Sequence, residues 1–595
     1  MLYSFSLIIL FILGLITPKT KEKESLIVNI VLMLIIILAY NTMVCYILNF
    51  LNIPITLQNL AIVNSIISCV LLGSIAKQKQ IQRFKINIKD IIACLTILII
   101  AIITIGINTS FFTKIHYLGM DPLQHYKAVR EFCENETLSN KYSEQYTTSK
   151  SHMPMGYVNI GILFKIFKPL VGYVPLCRMY LVFEALIFGL TGILFYFCVK
   201  KYCKTKNQYI ITLIFTVIYT IGYPLNSVIS GFHYLTIGIL YFTTIIYIFE
   251  NVIEKQKLRL CYNIILLTLL NTGLIFSYAL FCPPVYLAEL IYFLYKYKNN
   301  KNKKSLFLYI VFPLLLTGAM GSMLILYENI KNLGQTGIKL DGWIYKNDWS
   351  NFILFIPFSF YYIVNIVKEK NKEKFFEKTL FAFFIIFYIM FIIGRKIGIC
   401  SNYYSYKNSF ILWIIVLYTA VVGMQRLIEK GNVKIYIVNV FTVFYCFYLM
   451  FAMFYIKTYI VIDGKDKESV ATLMDVFSLN VTSITTDYEF LSKEDLDIIN
   501  ELDKHFSGKL QLHSEDVLII GNPTQEQWIN ALTGYRNSLY NDMAECIINW
   551  NKGDYEYLVI LNKTEIFKKL EKIIDKNNVE LIYKNEGGKI YQRIR

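Results

Sequence analysis

The sequence predicts a polytopic α-helical membrane protein, and three observations support this fold class. The 595-residue chain is 55% hydrophobic and only 17% charged, whereas a soluble domain is usually about 45–50% apolar and about 25% charged. Apolar runs longer than 18 residues recur along the chain, and such runs can cross a bilayer as helices. Lysine and arginine concentrate in alternate loops between the runs. The composition excludes collagen-like, disordered and coiled-coil classes.

About fourteen apolar segments are candidates for membrane spans. The first segment lacks a basic n-region and a small-residue cleavage site, so it is predicted to be an anchor and not a signal peptide. The two segments around Cys282-Pro283-Pro284 are short for full crossings. However, the loops before and after them are both basic and are therefore both predicted to be cytoplasmic, so the chain must cross the membrane twice between these loops. The predicted spans are 2–17, 26–49, 54–75, 90–108, 177–199, 208–223, 231–250, 261–276, 281–295, 305–327, 350–367, 379–394, 408–424 and 435–460.

The distribution of lysine and arginine predicts the orientation, because short cytoplasmic loops are rich in both residues. One set of short loops contains 28 of them, and the alternating short loops contain six. The side whose loops contain few lysines and arginines is predicted to face outward. It includes 109–176, 328–349, 395–407 and 462–595. Much of the net charge of +17 therefore reflects orientation, and no nucleic-acid partner is expected.

Two domains are predicted. Residues 1–461 form the membrane domain, with 109–176 as its large outer loop. In residues 462–595, short β-rich runs alternate with amphipathic stretches, which is typical of a small α/β domain. This domain is expected on the extracytoplasmic side of a bacterial cytoplasmic (plasma) membrane.

The first candidate catalytic residues lie in loop 109–176. Asp121, Pro122 and Gln124 suit the N-cap, first and third positions of a helix. His125 lies four residues after Asp121, so both side chains share one helix face. Capping alone explains Asp121, and a catalytic carboxylate is the alternative. The two roles are compatible, because backbone N–H groups favour an ionised carboxylate.

A third candidate, His152, lies near the end of the same loop, before Met153-Pro154-Met155-Gly156 and an amphipathic stretch. A surface histidine is the simpler interpretation. However, four of the six histidines lie in or near the outer face, which favours a functional role; they are His116, His125, His152 and His233.

Arg395, Lys396 and Lys407 are exceptions to the charge pattern, because they are cations on the outer side. Tyr403 and Tyr404 lie among them. Interfacial anchoring by snorkelling cations and a tyrosine belt is one interpretation. The alternative is a cationic pocket for a lipid phosphate at the outer headgroup level.

Other polar residues leave alternatives open. Asp341 and Trp343 belong to an outer loop that either turns at the interface or covers a substrate. Glu184 and Glu289 lie inside predicted spans, where carboxylates are costly. Each could line a cavity, pair with a cation or carry protons, and the sequence does not choose between these roles.

The chain contains no Walker A, Rossmann, HExxH or GxSxG motif in a fitting context. ATP-driven transport, nucleotide-dependent redox chemistry and the common hydrolase mechanisms therefore lack support. No cofactor is required by the sequence. A divalent metal is possible, but no pattern supports one.

The layout resembles the GT-C superfamily of integral-membrane glycosyltransferases. The resemblance rests on an acidic residue in the first large outer loop, a Pro-x-Gly at Pro154–Gly156 that closes it, and an outer C-terminal domain. The tail contains Gly521-Asn522-Pro523-Thr524-Gln525-Glu526-Gln527-Trp528 and then Ala531-Leu532-Thr533-Gly534, like the uncharacterised many-span bacterial members. One departure is that proline follows Asp121, where many members have an adjacent acidic pair after the first span.

The resemblance implies transfer of a sugar from a polyprenyl-phosphate-linked donor at the outer membrane face. Asp121 would accept the proton of the acceptor hydroxyl, assisted by His125 or His152. A cation would offset the charge on the leaving lipid phosphate, and the stretch after Gly156 would lie in the membrane interface. The residues expected at the donor phosphate are Arg395, Lys396 and Lys407, and those expected at the substrate are Tyr403, Tyr404, Asp341 and Trp343.

Three other functions remain open. A flippase or transporter of lipid-linked glycans suits the number of spans, although no internal repeat is evident. A glycan polymerase or ligase would use outer-loop arginines, which are few here. A membrane scaffold with a recognition tail would bind without turnover. The acceptor is a glycan, a lipid or a protein, and the sequence does not define the oligomeric state.

Overall fold

The computed structural model of this chain describes most of the helical part and sections of the C-terminal segment. The described residues are 2–17, 23–108, 115–116, 121–138, 153–221, 227–228, 231–255, 259–297, 303–323, 355–368, 374–431, 436–437, 440, 443–444, 455–462, 465–472, 485–486, 490–506, 517–521, 523–533, 536–537, 548, 550–553, 555–561 and 578–594.

The described chain is mainly helical. The helices are α1 (Leu2–Ile16), α2 (Leu26–Phe50), α3 (Leu57–Gln78), α4 (Ile88–Asn108), α5 (Asp121–Asn135), α6 (Pro154–Phe167), α7 (Tyr173–Lys200), α8 (Lys206–Ile221), α9 (His233–Ile248), α10 (Leu260–Tyr278), α11 (Cys282–Tyr297), α12 (Lys303–Tyr309), α13 (Thr317–Gly321), α14 (Ile356–Lys368), α15 (Phe375–Lys396), α16 (Asn402–Glu429), α17 (Lys493–Phe506) and α18 (Pro523–Thr533). A π-helical turn, Phe249–Ile253, extends α9, and a second one, Ile310–Leu316, joins α12 to α13.

Nine helical stretches in the described part of the chain are long and apolar enough to cross a membrane. The protein is therefore a multi-pass membrane protein. Four further apolar helices are shorter, and they correspond to α1, α6, the middle of α8 and most of α14. The last predicted span, 435–460, is wrong at its end, because Tyr455–Ile462 is a β-strand. Its tyrosine, isoleucine, valine and threonine residues favour a strand.

The helical stretch Leu260–Tyr297 is broken near its middle. A straight helix of 38 residues would be about 57 Å long, and the hydrocarbon core of a bilayer is only about 30 Å thick. At Tyr278 the backbone leaves the helical region, with φ −150° and ψ 87°, and a 3₁₀ turn follows. The break lies near the predicted division, and two separate crossings stay a prediction.

Loops that are predicted for the same side of the membrane meet at the same end of the bundle. On the predicted outer side, the N–H of Ile55 donates to the carbonyl of Glu136 at 2.8 Å. On the predicted cytoplasmic side, Lys296 Nζ donates to the carbonyl of Ile253 at 3.1 Å. The short strands β1 (Glu24–Ser25) and β2 (Phe84–Lys85) also pair there. The packing is consistent with the predicted alternation of loops.

The centre of the bundle is formed by α7, α9 and α10, which are largely buried. Close approach of α9 and α10 depends on Gly273, because a Cβ at this position would overlap the ring of Tyr241. The Tyr241 hydroxyl reaches across to α2, where it donates to the carbonyl of Ile35 at 2.9 Å. The buried hydroxyl is thus satisfied by a hydrogen bond.

The C-terminal segment contains a five-stranded sheet. Its strands are β8 (Val517–Ile520), β9 (Arg536–Asn537), β10 (Tyr557–Leu561), β11 (Val579–Lys584) and β12 (Gly588–Arg593), in the order β11-β12-β10-β8-β9. The central strands β8 and β10 are parallel and fully buried, which explains their continuous apolar sequences. The β-rich runs of the sequence at 517–521, 557–561 and 579–583 coincide with β8, β10 and β11.

Other short strands connect the C-terminal segment to itself and to the loop before α5. They are β3 (Ile115–His116), β4 (Tyr455–Ile462), β5 (Lys465–Thr472), β6 (Thr485–Thr486) and β7 (Phe490–Leu491). The strands β4 and β5 form an antiparallel hairpin, so the predicted domain boundary at 461/462 falls at the end of β4. The strand β3 pairs with β7.

The C-terminal helices pack directly on the membrane part of the chain. Arg130 Nε on α5 donates to the carbonyl of Ala531 on α18 at 3.0 Å. The N–H of Tyr173 at the start of α7 donates to Asp503 Oδ2 on α17 at 2.8 Å. Apolar side chains from α17 and α18, including Trp528, share one buried cluster with α5, α6 and α7.

Candidate functional site

The candidate site is built around the first turn of α5. Helix α5 begins at Asp121, where the sequence predicts a helix start. The ring of Pro122 lies on Gly231, and any Cβ at Gly231 would overlap it. Gly231 also has a φ of +72°, a conformation that glycine adopts without strain. Two local constraints therefore hold the start of α5 against the turn that leads into α9.

His125 points from α5 towards the beginning of α9. Its side chain is buried, with 7% exposure. The ring centroid lies 5.1 Å from that of Tyr234, in an edge-on arrangement, and 6.2 Å from that of His233. The outer histidines His125 and His233 are thus near each other, although they are far apart in sequence.

Lys407 on α16 occupies an aromatic cage that faces the same turn. Its Nζ lies 3.7 Å from the ring centroid of Tyr403 and 4.5 Å from those of Phe232 and Tyr234. The ammonium donates a hydrogen bond to the Tyr234 hydroxyl. Lys407 is 2% exposed. Aromatic faces stabilise a desolvated ammonium, so the cage fixes a positive charge close to His125.

Of the two tyrosines that the sequence singled out, Tyr403 forms part of the cage and Tyr404 lies at its edge. The hydroxyls of Tyr403 and Tyr234 are 3.3 Å apart. Tyr404 lies farther away, with its ring centroid 5.9 Å from Lys407 Nζ. Tyr234 contacts both His125 and Lys407. It therefore links the predicted group of Lys407, Tyr403 and Tyr404 to His125.

Arg395 and Lys396 have a different environment. Both are exposed in the last turn of α15. The structure does not bring them into the aromatic cage of Lys407. Their predicted role at a lipid phosphate stays a prediction for the protein surface.

A buried pair that the sequence did not connect lies beside the cage. His233 Nδ1 is 3.2 Å from Glu184 Oε1 on α7, and both residues are at most 3% exposed. His233 Nε2 has no hydrogen-bond partner among the described residues. It faces Gly156, where a Cβ would overlap the imidazole. The glycine of the Pro-x-Gly motif is thus needed for the position of His233.

Helix α6, the stretch after Gly156, packs inside the protein, and its expected place at the membrane interface stays a prediction. Helix α6 is buried along most of its length. Its polar residues have protein partners: Asn159 Oδ1 accepts from Asn41 Nδ2 at 3.2 Å, and Lys165 Nζ donates to the carbonyl of Ile55 at 3.0 Å. The sequence pattern looked amphipathic because these partners come from distant segments.

The tail motif has a structural role in the described part of the chain. Gln525 Nε2 donates to both carboxylate oxygens of Asp495, at 3.2 and 3.1 Å. Glu526 Oε1 accepts from the N–H of Gly521 at 2.6 Å. These contacts tie α18 to α17 and to β8, and α18 in turn packs on α5.

Several predicted site residues fall outside this description. His152, Asp341 and Trp343 lie outside the described residues, and for Asp121 only the backbone is described. Within the described ranges, no three His, Cys, Asp or Glu side chains are grouped in a way that could hold a metal ion. The described cysteines are free thiols.

No known family model matches this chain, and no curated protein matches it.

Proposed function

We propose that the protein is a GT-C-type glycosyltransferase that transfers a sugar from a polyprenyl-phosphate-linked donor to an acceptor on the outer face of the cytoplasmic membrane. One observation carries this proposal: the start of α5, His125 and the caged Lys407 converge at one end of the bundle. The first two belong to one segment, α5, and Lys407 belongs to a distant one, α16; both segments are predicted to place these residues on the outer side.

The proposed reaction requires a base and a positive charge at this place. The acceptor oxygen attacks the anomeric carbon, and the bond from that carbon to the phosphate oxygen breaks. Asp121 accepts the acceptor proton. The fixed charge of Lys407 stabilises the negative charge that develops on the leaving lipid phosphate. Arg395 and Lys396, exposed at the end of α15, attract the donor headgroup to this surface.

The proposal includes a topology and a location. The chain crosses the cytoplasmic membrane about fourteen times, and the last crossing ends before Tyr455. The α/β segment 462–595 lies outside the cell, where it supports α5. The reaction uses residues of this chain, and no cofactor is proposed.

The proposal is tested with the full chain in proteoliposomes that contain radiolabelled polyprenyl-phosphate-linked sugars and a cell-envelope extract as the source of acceptor. The readout is sugar transfer with release of polyprenyl phosphate. Asp121→Asn is expected to lower the rate by about 10²–10⁴-fold, the usual contribution of a general base. Asp497→Asn on α17 makes the same chemical change elsewhere and is expected to retain activity.

Two results would contradict the proposal. Full transfer activity of Asp121→Asn would remove the assigned base. Movement of the labelled lipid across the bilayer, without transfer of its sugar and release of polyprenyl phosphate, would replace transfer with transport and favour a flippase.

A further inference from the structure

A second polar site lies deep among the membrane helices, away from the proposed reaction site. Glu289 occupies the middle of α11 and is 0% exposed. Its Oε2 accepts a hydrogen bond from Asn271 Nδ2 on α10 at 2.8 Å. Asn271 Nδ2 also donates to the carbonyl of Pro313, in the π-helical turn 310–316, at 3.0 Å. Three chain segments therefore meet at one buried carboxyl group.

Two oxygens of this site have no partner in the described structure: Glu289 Oε1 and Asn271 Oδ1. Among the described residues, no cation forms an ion pair with Glu289. An ionised carboxylate that is buried without a counter-charge is strongly unfavourable. The site is therefore neutral only when a proton or another monovalent cation is bound at the carboxylate, and the unpartnered oxygens are the atoms that could accept it.

The backbone beside Glu289 is unusual in the same place. The π-helical turn 310–316 contains Pro313, and proline has no N–H to donate. Such π-helical turns occur frequently at functional sites, and interrupted membrane helices often expose carbonyl groups to small ions. Thr317 Oγ1 and the Tyr286 hydroxyl, 2.7 Å apart, lie on the following turn and on α11.

We propose that Glu289, Asn271 and the π-helical turn around Pro313 form a binding site for one small monovalent cation, a proton or Na⁺, within the membrane. The required chemistry is one positive charge at Glu289 Oε1. The site does not depend on the proposed glycosyl transfer, because its residues are separate from those around His125 and Lys407.

The described side chains around Glu289 supply no positive charge, so a bound ion would have to provide it. Among the described residues, Cys282 and Tyr286 are the titratable side chains that interact electrostatically with Glu289, and both belong to α11. The neighbouring segments contribute Asn271 and Thr317, which do not titrate. A proton and Na⁺ would therefore compete for the same carboxylate.

The test uses the purified full-length protein and dicyclohexylcarbodiimide, an apolar reagent that reacts with protonated carboxyl groups. Modified peptides are identified by mass spectrometry across a range of pH and with NaCl or choline chloride. We expect labelling of Glu289 that decreases as the pH rises. Glu184 serves as an internal comparison, because its Oε1 contacts His233 Nδ1 at 3.2 Å whereas Glu289 Oε1 has no partner among the described residues; less labelling is expected at Glu184. In Glu289→Gln the labelling of this peptide is expected to disappear.

The effect of NaCl distinguishes the two ions. Protection of Glu289 by NaCl, but not by choline chloride, identifies Na⁺ as a ligand. Labelling that is insensitive to NaCl identifies a proton site.

Thermal unfolding provides a second measurement that does not depend on access of the reagent. If Na⁺ binds, NaCl raises the Tm of the wild-type protein by mass action and leaves the Tm of Glu289→Gln unchanged. Glu289→Gln, which resembles the protonated acid in shape, is expected to fold and to retain the hydrogen bond from Asn271. The proposal is overturned if Glu289 is never labelled and NaCl has the same effect on wild type and variant.

Discussion

At the scale of single residues, the cage of Lys407 shows what the sequence can and cannot predict. Lys407 was found because it breaks the charge pattern of the loops, and Tyr403 and Tyr404 were found because they lie beside it. Phe232 and Tyr234, which complete the cage, gave no such signal. Aromatic residues are ordinary in membrane helices, so their role became visible only when α9 and α16 were seen together.

Replacement of Lys407 by methionine tests the role of this charge. The side chain keeps a similar length and loses its ammonium, so the protein is expected to fold. Transfer is expected to fall by about 10²–10³-fold, the usual cost of removing one group that stabilises developing negative charge. Lys430→Met, at the other end of α16, is the matched control. Equal loss of activity in both variants would contradict a specific role for Lys407.

Substitution of Gly156 by alanine tests the contact between α6 and His233. The added Cβ overlaps His233 Nε2, and overpacking in a buried position typically costs about 1–3 kcal/mol. Gly73→Ala in α3 is a control, because no atom lies within 4 Å of a Cβ there. A lower Tm is expected for Gly156→Ala alone. Equal Tm values would show that His233 has room to move.

At the scale of elements, local sequence predicted much of the C-terminal segment, but it did not predict where that segment docks. The strands β8 and β10 follow from uninterrupted apolar runs between turns. Their neighbours α17 and α18 contact α5 and α7 through pairs such as Arg130 and Ala531. Such partners are hundreds of residues apart, and no periodicity in one sequence encodes them.

The contact between Asp503 and Tyr173 predicts a pH dependence for this docking. Burial raises the pKa of Asp503 from 3.8 to about 6, although the hydrogen bond from the Tyr173 N–H opposes the rise. The docked state therefore binds the proton more tightly than the undocked state. The stabilising contribution is complete below about pH 4 and is lost as the pH rises through about 6.

Hydrogen exchange of the amides at the start of α7 measures this effect. Protection in the wild type, relative to Asp503→Asn at each pH, is expected to decrease between about pH 4 and pH 6. The asparagine retains an acceptor for the Tyr173 N–H and does not titrate in this range. A constant ratio across the range would contradict the prediction.

At the scale of the whole molecule, composition and loop charges predicted a multi-pass membrane protein, and the apolar helices confirm that class. One detailed expectation failed, because residues 455–462 form a strand and not the end of the last predicted span. The burial of helix α6 among other helices was not predicted either. Hydropathy measures how apolar a segment is, but it does not distinguish a segment that is buried in protein from one that is exposed to lipid.

The predicted orientation is tested by cysteine labelling in intact cells. Lys396→Cys, at the end of α15, is expected to react with a membrane-impermeant maleimide from outside. Lys303→Cys, at the start of α12, is expected to react only after the membrane is permeabilised. Both positions are exposed, so access to the reagent decides the result. The reverse pattern would invert the proposed topology.

The docking of α18 on α5 also affects the order of assembly during synthesis. Helix α5 begins at Asp121, whereas its partner α18 begins at Pro523. Chains are made from the N-terminus, so every predicted membrane segment is synthesised before this partner appears. A nascent or truncated chain that ends after α16 inserts its helices but leaves α5 without one of its supports. Completion of the site is thereby delayed until the C-terminal segment has been made and has docked.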